Sequence, residues 1–322
     1  MTSFILRRLA ALLPMLLAVT LLVFALMSLA PGDFLTPVKA QRDINPALIA
    51  ELQKSFGLDR PWYQQYALWL GNVLHLDFGY SWTYKVPVAQ LIAQRAPATI
   101  LLSISSLLLA WILAIPLAVL AAARPGGWID RLTSAAAYLA LAIPEFFLAL
   151  LAVWMAARTG WFPIGGLTSL DHDFLSPSSQ FLDIAYHLIL PTLVLGLGGV
   201  AGTLRVLRAN VLDVLQAEYI TAARAKGLAE RAVLFRHVLR NALNPLLSTI
   251  GYALAGLLSG SLLVENVMNY PGLGRLVYEA FIREDQFVVL GSVVVGCSLL
   301  IIGNLISDLA LAWSDPRVRY GR

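Results

Sequence analysis

Cysteine and charge are both scarce in this chain of 322 residues. Its one cysteine, Cys297, excludes an intramolecular disulfide and, set in an apolar run, reads as a small core residue. Charged residues make up 13% of the chain and hydrophobic ones 59%, where soluble globular domains carry about 25% and about 45–50%. Mean hydropathy is +0.74. These values exclude an ordinary soluble domain and point to an integral membrane protein. No Gly-x-x-x-x-Gly-Lys-Ser/Thr phosphate loop occurs, so ATP-driven work would need another polypeptide. Intramembrane proteolysis would need paired aspartates, a serine with lysine or histidine, or zinc ligands inside the helices. The apolar stretches offer only Glu145, with His187 and Asp308 at their periphery. No catalytic residue, metal or cofactor is therefore expected. The net charge of +4 gives no argument for nucleic acid, because the basic residues follow membrane topology instead. Repeats and low-complexity tracts are absent.

What is abundant is long apolar sequence. A bilayer core is spanned by about 20 apolar residues in a helix, and six stretches qualify: residues 9–30, 96–123, 132–157, 185–204, 241–264 and 287–307. The sequence predicts an all-α integral membrane protein of six transmembrane helices. Arg7 and Arg8 precede the first stretch, which is too long for a signal-peptide core of about 7–15 residues and reads as a retained helix.

Lys and Arg fix the expected orientation. Arg7, Arg8, Arg124, Arg131, Arg205, Arg208, Arg224, Lys226, Arg231, Arg236, Arg240, Arg317, Arg319 and Arg322 would share one side. Arg158, Arg275 and Arg283 fall on the other, with the basic residues of the long loop 31–95. Both termini are thus expected in the cytoplasm. Three regions follow: an N-terminal transmembrane helix (1–30), an extracytoplasmic loop region with short helices (31–95), and a five-helix core (96–322) with a cytoplasmic loop at 205–240. Within 31–95, Asn45-Pro46 opens one short amphipathic helix and Gly57 ends it. Asp59-Arg60-Pro61 turns the chain into a second, whose Trp62, Tyr63, Tyr66 and Trp69 suit a membrane interface. The stretch after it reads as extended or loop-like.

The cytoplasmic loop contains "EYITAARAKGLAERAVLFRHVLRN", residues 218–241, with seven charged residues. A helix is predicted from about 212 to 226. Ala222, Ala223 and Ala225 are small and helix-forming, Arg224 and Lys226 complement the dipole of the last turn, and Gly227 suits the left-handed position beyond it. A second helix would carry Leu228, Ala232, Phe235, Leu239 and Ala242 or Leu243 on one stripe. Two readings stand. The segment is a basic amphipathic linker on an anionic leaflet, or its small residues allow close approach of a cytoplasmic protein partner.

The same stretch resembles the EAA loop of permease subunits of ABC importers, with Thr221, Ala222, Ala223 and Gly227 in the aligned positions. Thr221 replaces the usual acid, and the later proline of the pattern is displaced to Pro245. "ARAKGL" and "LFRHVLRNAL" resemble the branch that imports dipeptides, oligopeptides and nickel. "FGLDRPWYQQYALWLGNVLHLDFGYSW" resembles the first outer loop of its B-type subunit, "ENVMNYPGLGRLVYEA" its last outer loop, and "ISDLALAWSDPRVRYG" its terminus. The resemblance implies a type I ABC importer permease fold in a bacterial inner membrane. It implies a second, homologous permease in a heterodimer, two cytoplasmic ABC ATPases and an extracytoplasmic binding protein that delivers a peptide. Nickel complexes and antimicrobial peptides are alternative cargo in the same family, and a non-transport membrane anchor is the alternative from another class. By resemblance, Tyr219, Thr221, Ala222, Ala223, Arg224, Ala225, Lys226 and Gly227 form a coupling helix that docks on an ATPase, and the bundle works by alternating access.

Glu145, after Pro144, is placed mid-helix by hydropathy. An ionisable group at that depth is a functional candidate by default, here for a pathway contact or gate hinge; a structural hydrogen bond to a neighbouring helix is the plainer reading. Pro116 and Pro191 read as kinks. "LGLGGVAG" (195–202) lies in an apolar stretch and reads as a packing surface rather than a dinucleotide loop. Asp171, His172 and Asp173 read as a solvated outer loop, and His75, His187 and His237 show no metal-ligand spacing. Tyr270, Pro271, Gly272 and Gly274 offer turn chemistry and, by resemblance, a place at the outer mouth.

Overall fold

The computed structural model describes residues 2–29, 47, 51, 53–54, 60–81, 83–248 and 250–314. Asn45, Pro46 and Gly57, which bound the expected first short helix, lie outside the described residues, as do Arg317, Arg319 and Arg322. The chain is mostly helical. In order come α1 (Thr2–Leu29), α2 (Trp62–Val73), a small antiparallel hairpin (Tyr80–Ser81 with Val86–Pro87), α3 (Val88–Ala123), α4 (Trp128–Ala142), α5 (Glu145–Thr159) and α6 (Pro177–Leu215). Then follow α7 (Glu218–Ala225), a series of short turns from Glu230 to Ser248, α8 (Ile250–Val267), α9 (Leu273–Ile282) and α10 (Gln286–Ser314).

Among the described residues, α3, α6 and the Gln286–Ala310 part of α10 are each long and apolar enough to cross a membrane. The α4–α5 pair would make a fourth span, but it is bent by 94°. The sequence predicts one uninterrupted helix across 132–157; the structure breaks it. Ile143 and Pro144 are extended (φ −92°, ψ 123° and φ −61°, ψ 138°). A residue before proline is pushed out of the α region by the pyrrolidine ring, so the chain leaves the helix at Ile143 and restarts it after Pro144. Glu145 is consequently the first residue of α5, not a mid-helix position. Pro116 and Pro191, by contrast, are accommodated within α3 and α6. α6 starts with Ser176 as N-cap, accepting from the Ser179 amide, and Pro177 at its first position. α5 ends on Gly160 at φ +67°. The fifth apolar stretch, 241–264, is divided into Arg240–Ala242, Asn244–Ser248 and the start of α8.

The residues form two compact units. The first comprises 1–100 and 269–301. Its core holds Phe24, Trp69, Phe78, Leu91, Ile92, Leu276 and residues 287–290. Phe24 of α1 meets Tyr66 edge-on at 5.5 Å and Trp69 at 6.2 Å. Tyr66 also shares a 2.9 Å hydrogen bond with Thr20. Of the aromatics expected at an interface, Trp62 and Tyr63 are exposed while Trp69 is buried. The hairpin is anchored by Ser81, which donates to the buried Asp285 carboxylate at 2.6 Å, and by Tyr84, which donates to Glu279 at 2.6 Å. Gly291 is required by contact: a Cβ there would lie 2.8 Å from Val88.

The second unit comprises 101–268 and 302–322. Its core mixes alanines, Ala114, Ala118 and Ala122 of α3, Ala137 of α4 and Ala201 of α6, with Leu204, Leu207 and Val211 one to three turns on. A Cβ on Gly199 would approach that of Ala110 to 3.1 Å. The 195–202 stretch is thus a close-packing face of α6 on α3, as its sequence suggests.

Candidate functional site

The loop between α6 and α8 is built from local backbone chemistry. α6 ends at Leu215, the chain turns through Gln216 and Ala217, and α7 begins at Glu218. The single helix expected from 212 to 226 is therefore two helices. α7 ends in a Schellman motif: the Gly227 amide donates to Arg224 (2.9 Å) and the Leu228 amide to Ala223 (3.4 Å), with Gly227 at φ +77°. Arg224 turns back and makes a two-pronged pair with Glu230, its Nε at 2.8 Å. Tyr219 accepts from Asn241 Nδ2 at 3.0 Å, which ties the start of α7 to the far end of the loop.

α7 has two faces. Ile220 is fully buried and Ala223 nearly so, in the same apolar cluster as Leu207 and Val211 of α6. Tyr219, Thr221, Ala222, Arg224, Ala225, Lys226 and Gly227 are exposed. The outward face is a short, small-residue surface with Glu218 at its start and the cationic Arg224 and Lys226 at its end. Ala223, read from sequence as one of the contact residues, faces the chain's own core.

Beyond α7 the expected amphipathic stripe is buried only at its far end, at Ala242. Val233–Leu239 forms a π-helical segment, and the residues facing the core are Val233, Val238 and Ala242. A wider turn brings every fifth residue onto one side, so the 3–4 stripe through Leu228 and Phe235 is turned outward; Phe235 is 63% exposed. π segments of this kind occur often at functional sites.

Glu145 is half-buried at the start of α5. Its Oε1 lies where a Cβ on Gly198 would come within 3.1 Å. Gly198 of α6 therefore leaves room for the carboxylate beside the 94° break. The Tyr270–Gly274 turn is interior. Tyr270 is fully buried and donates to the Ala98 carbonyl at 2.9 Å, and Gly272 and Gly274 are buried too. Pro271 alone of the four named there is partly exposed. His172 Nδ1 lies 2.7 Å from Asp183 Oδ2, and His187 Nδ1 3.2 Å from Asp183 Oδ1.

Sequence reading gave Arg205 and Arg208 no role beyond topology. The structure gives both a partner on α4. Arg208 donates through Nε and Nη2 to the two oxygens of Asp130, the second at 2.8 Å, and the Arg205 guanidinium lies 5.1 Å from the Tyr138 ring centre. An acid three residues after "PGG" was a visible signal; its partner 78 positions away was not.

Residues 114–320 match the family described as "Binding-protein-dependent transport system inner membrane component". Residues 1–103 match the N-terminal family described as "Binding-prot-dependent transport system membrane comp, N-term". The chain is 39% identical to the oligopeptide transport system permease protein AppB of Bacillus subtilis, over 99% of this chain and 100% of that one. It is 33% identical to the dipeptide transport system permease protein DppB of Escherichia coli strain K12, over 99% of each. It is 34% identical to the di/tripeptide transport system permease protein DppB of Pseudomonas aeruginosa, over 100% of each.

Proposed function

Since the chain belongs to the binding-protein-dependent transport system inner membrane component family, we propose that it carries peptides across the membrane as one permease of an ABC importer. The full-length likeness to relatives named for oligopeptide, dipeptide and di/tripeptide transport supports the cargo. Permeases of this family are multi-pass inner-membrane subunits that work with ATPase and binding-protein partners, and they are not themselves enzymes. The finer reading adds six transmembrane helices in the type I importer arrangement, both termini in the cytoplasm, and a second homologous permease completing a heterodimer. Its regions are the N-terminal helix (1–30), the extracytoplasmic loop (31–95) and the permease core (96–322).

The observation that carries the mechanism is the two-faced helix α7. Ile220 and Ala223 root it in the chain's own core, while Tyr219, Thr221, Ala222, Arg224, Ala225, Lys226 and Gly227 remain outside. That face suits a groove on an ATPase. Closure of the ATPase pair on ATP would displace α7, and with it α6, to which it is joined by a two-residue turn. The pathway would then re-open on the other side, with Pro144 and Glu145 at the broken span as the hinge and gate. Pro271, beside the buried Tyr270, Gly272 and Gly274, is the part of that turn that could meet a delivering protein. Nickel complexes and antimicrobial peptides are the competing cargo.

The test is to purify the tagged chain in mild detergent and identify what accompanies it by mass spectrometry. Two ATPases, a second permease and a peptide-loaded binding protein are expected. A chain that purifies alone would instead favour the leaflet-anchor reading, to which the exposed Phe235, Arg231 and Arg236 lend themselves.

A further inference from the structure

We propose that Asp130 and Arg208 are positioning residues for energy coupling: their ion pair fixes α4 to the α7-proximal end of α6, so that a displacement of α7 reaches the break at Ile143–Pro144. The proposal rests on α7 being the coupling helix.

The α4–α6 interface has little else to set its register. Its buried residues are Ala137 on one side and Ala201, Leu204 and Leu207 on the other. On α4 the only buried residue besides Asp130 is the small Ala137, and a small surface lets helices approach closely but does little to fix one register against the next. The ion pair supplies that. A guanidinium meeting a carboxylate through two parallel hydrogen bonds has one geometry, unlike a point charge. Asp130 is 5% exposed, and its Oδ2 also accepts from the Gly126 amide at 2.8 Å. One carboxylate therefore closes the α3–α4 turn and grips α6. Arg205, one turn back on α6, adds its contact with Tyr138 of α4. Setting register is the best-attested use of a buried ion pair.

The order of parts along the chain gives the pair its role. Arg208 lies seven residues before the end of α6, and α7 starts three residues after that end. α4 leads directly to the break, and Glu145 beyond it faces Gly198 of the same α6. A shift of α7 pulls on α6; the pair obliges α4 to follow.

The experiment uses the assembled importer, with its ATPases and binding protein, in vesicles. The probe is a radiolabelled dipeptide retained by that binding protein. The readout is uptake per ATP hydrolysed, which a purely structural role would leave unchanged among correctly assembled complexes. Arg208→Gln is expected to lower this ratio roughly tenfold, within the usual range of coupling between sites, while ATP hydrolysis persists. Asp130→Asn combined with Arg208→Gln is expected to recover part of the ratio, since no buried carboxylate is then left unpaired. If Arg208→Gln does not assemble, the double variant decides, and it should still fall below the native ratio. A native ratio in these variants, beside an uncoupled Gly227→Val control, would overturn the proposal and leave the coupling-helix reading standing. A native ratio in Gly227→Val as well would remove both.

Discussion

The two units of this protein are held together in different ways. The first has a core of large side chains, stitched by long-range polar contacts: Ser81 to Asp285, Tyr84 to Glu279, Tyr270 to the Ala98 carbonyl, and the Leu273 amide to Thr99. The second brings alanine and glycine faces of its helices together beside Leu204, Leu207 and Val211, with one two-pronged ion pair across α4 and α6. Interdigitated large side chains and directional polar links allow one arrangement. Alanine-on-glycine faces allow several of similar energy. The contrast is between a unit whose side chains interlock and one whose helices meet across smoother faces.

The largest effect should come from emptying the first core. Leu276→Ala, at a position 2% exposed, should lower the apparent stability of the purified protein by about 2–5 kcal/mol, because the interlocked neighbours cannot collapse into the space. Thermal unfolding in detergent would show it; a loss no greater than that of an exposed leucine would erase the distinction drawn between the units. The opposite insult belongs to the second core. Gly199→Leu forces a side chain against Ala110, whose Cβ has no flexible end to yield. Overpacking of this kind should cost about 1–3 kcal/mol, and uptake should suffer more than stability does, since the helices would be wedged.

A pH titration separates the units further. Burial first, then the hydrogen bond to Glu279, pushes the Tyr84 phenol up to about 12. Burial also pushes the Glu279 carboxyl up, but hydrogen bonds from Tyr84 and Arg275 and the nearby arginine charges outweigh it and hold the carboxyl below its ordinary value. The folded state therefore holds the Tyr84 proton more tightly than the unfolded chain. That contribution is complete below the ordinary value of 10.0 and disappears as pH rises toward about 12. The Glu279 contribution has the reverse sign: present above the ordinary carboxylate value, it fades as pH falls through the lowered folded one. Tyr84→Phe should flatten the alkaline limb of a melting-temperature profile, and an unchanged limb would assign the effect elsewhere. The smallest change should follow Glu230→Gln. The Arg224–Glu230 pair is exposed, and such pairs are worth about 0–1 kcal/mol. A larger drop in stability would mean that the pair, and not Gly227, holds the end of α7.

How much of this was legible depended on how local the physics was. The end of α7 could be read from "ARAKG", because a Schellman turn needs only a glycine that tolerates positive φ after a run of helix formers. The packing role of 195–202 was legible for the same reason: a glycine's missing side chain is a local fact. Pro144 was visible as a perturbation, but a kink and a 94° break share the same residues. Neighbouring helices select between them. The inward face after α7 matches the expected stripe only at Ala242, because the 3.6-residue period fails in a π-helical segment, where Val233 and Val238 take the place of Leu228 and Phe235.

By itself the sequence determined that the chain is a helical membrane protein, the positions of most of its apolar stretches, and the family to which it belongs. Hydropathy, helix stop signals and motif order are properties of neighbouring residues and survive without a fold. Only the tertiary structure decided that Ala223 faces inward and Ala222 outward, that Tyr270 is interior, and that Asp130 finds Arg208 while Ser81 finds Asp285. Those pairings join residues 78 and 204 positions apart. A buried carboxylate takes whichever donor the packed helices bring to it, and no local pattern names that donor in advance.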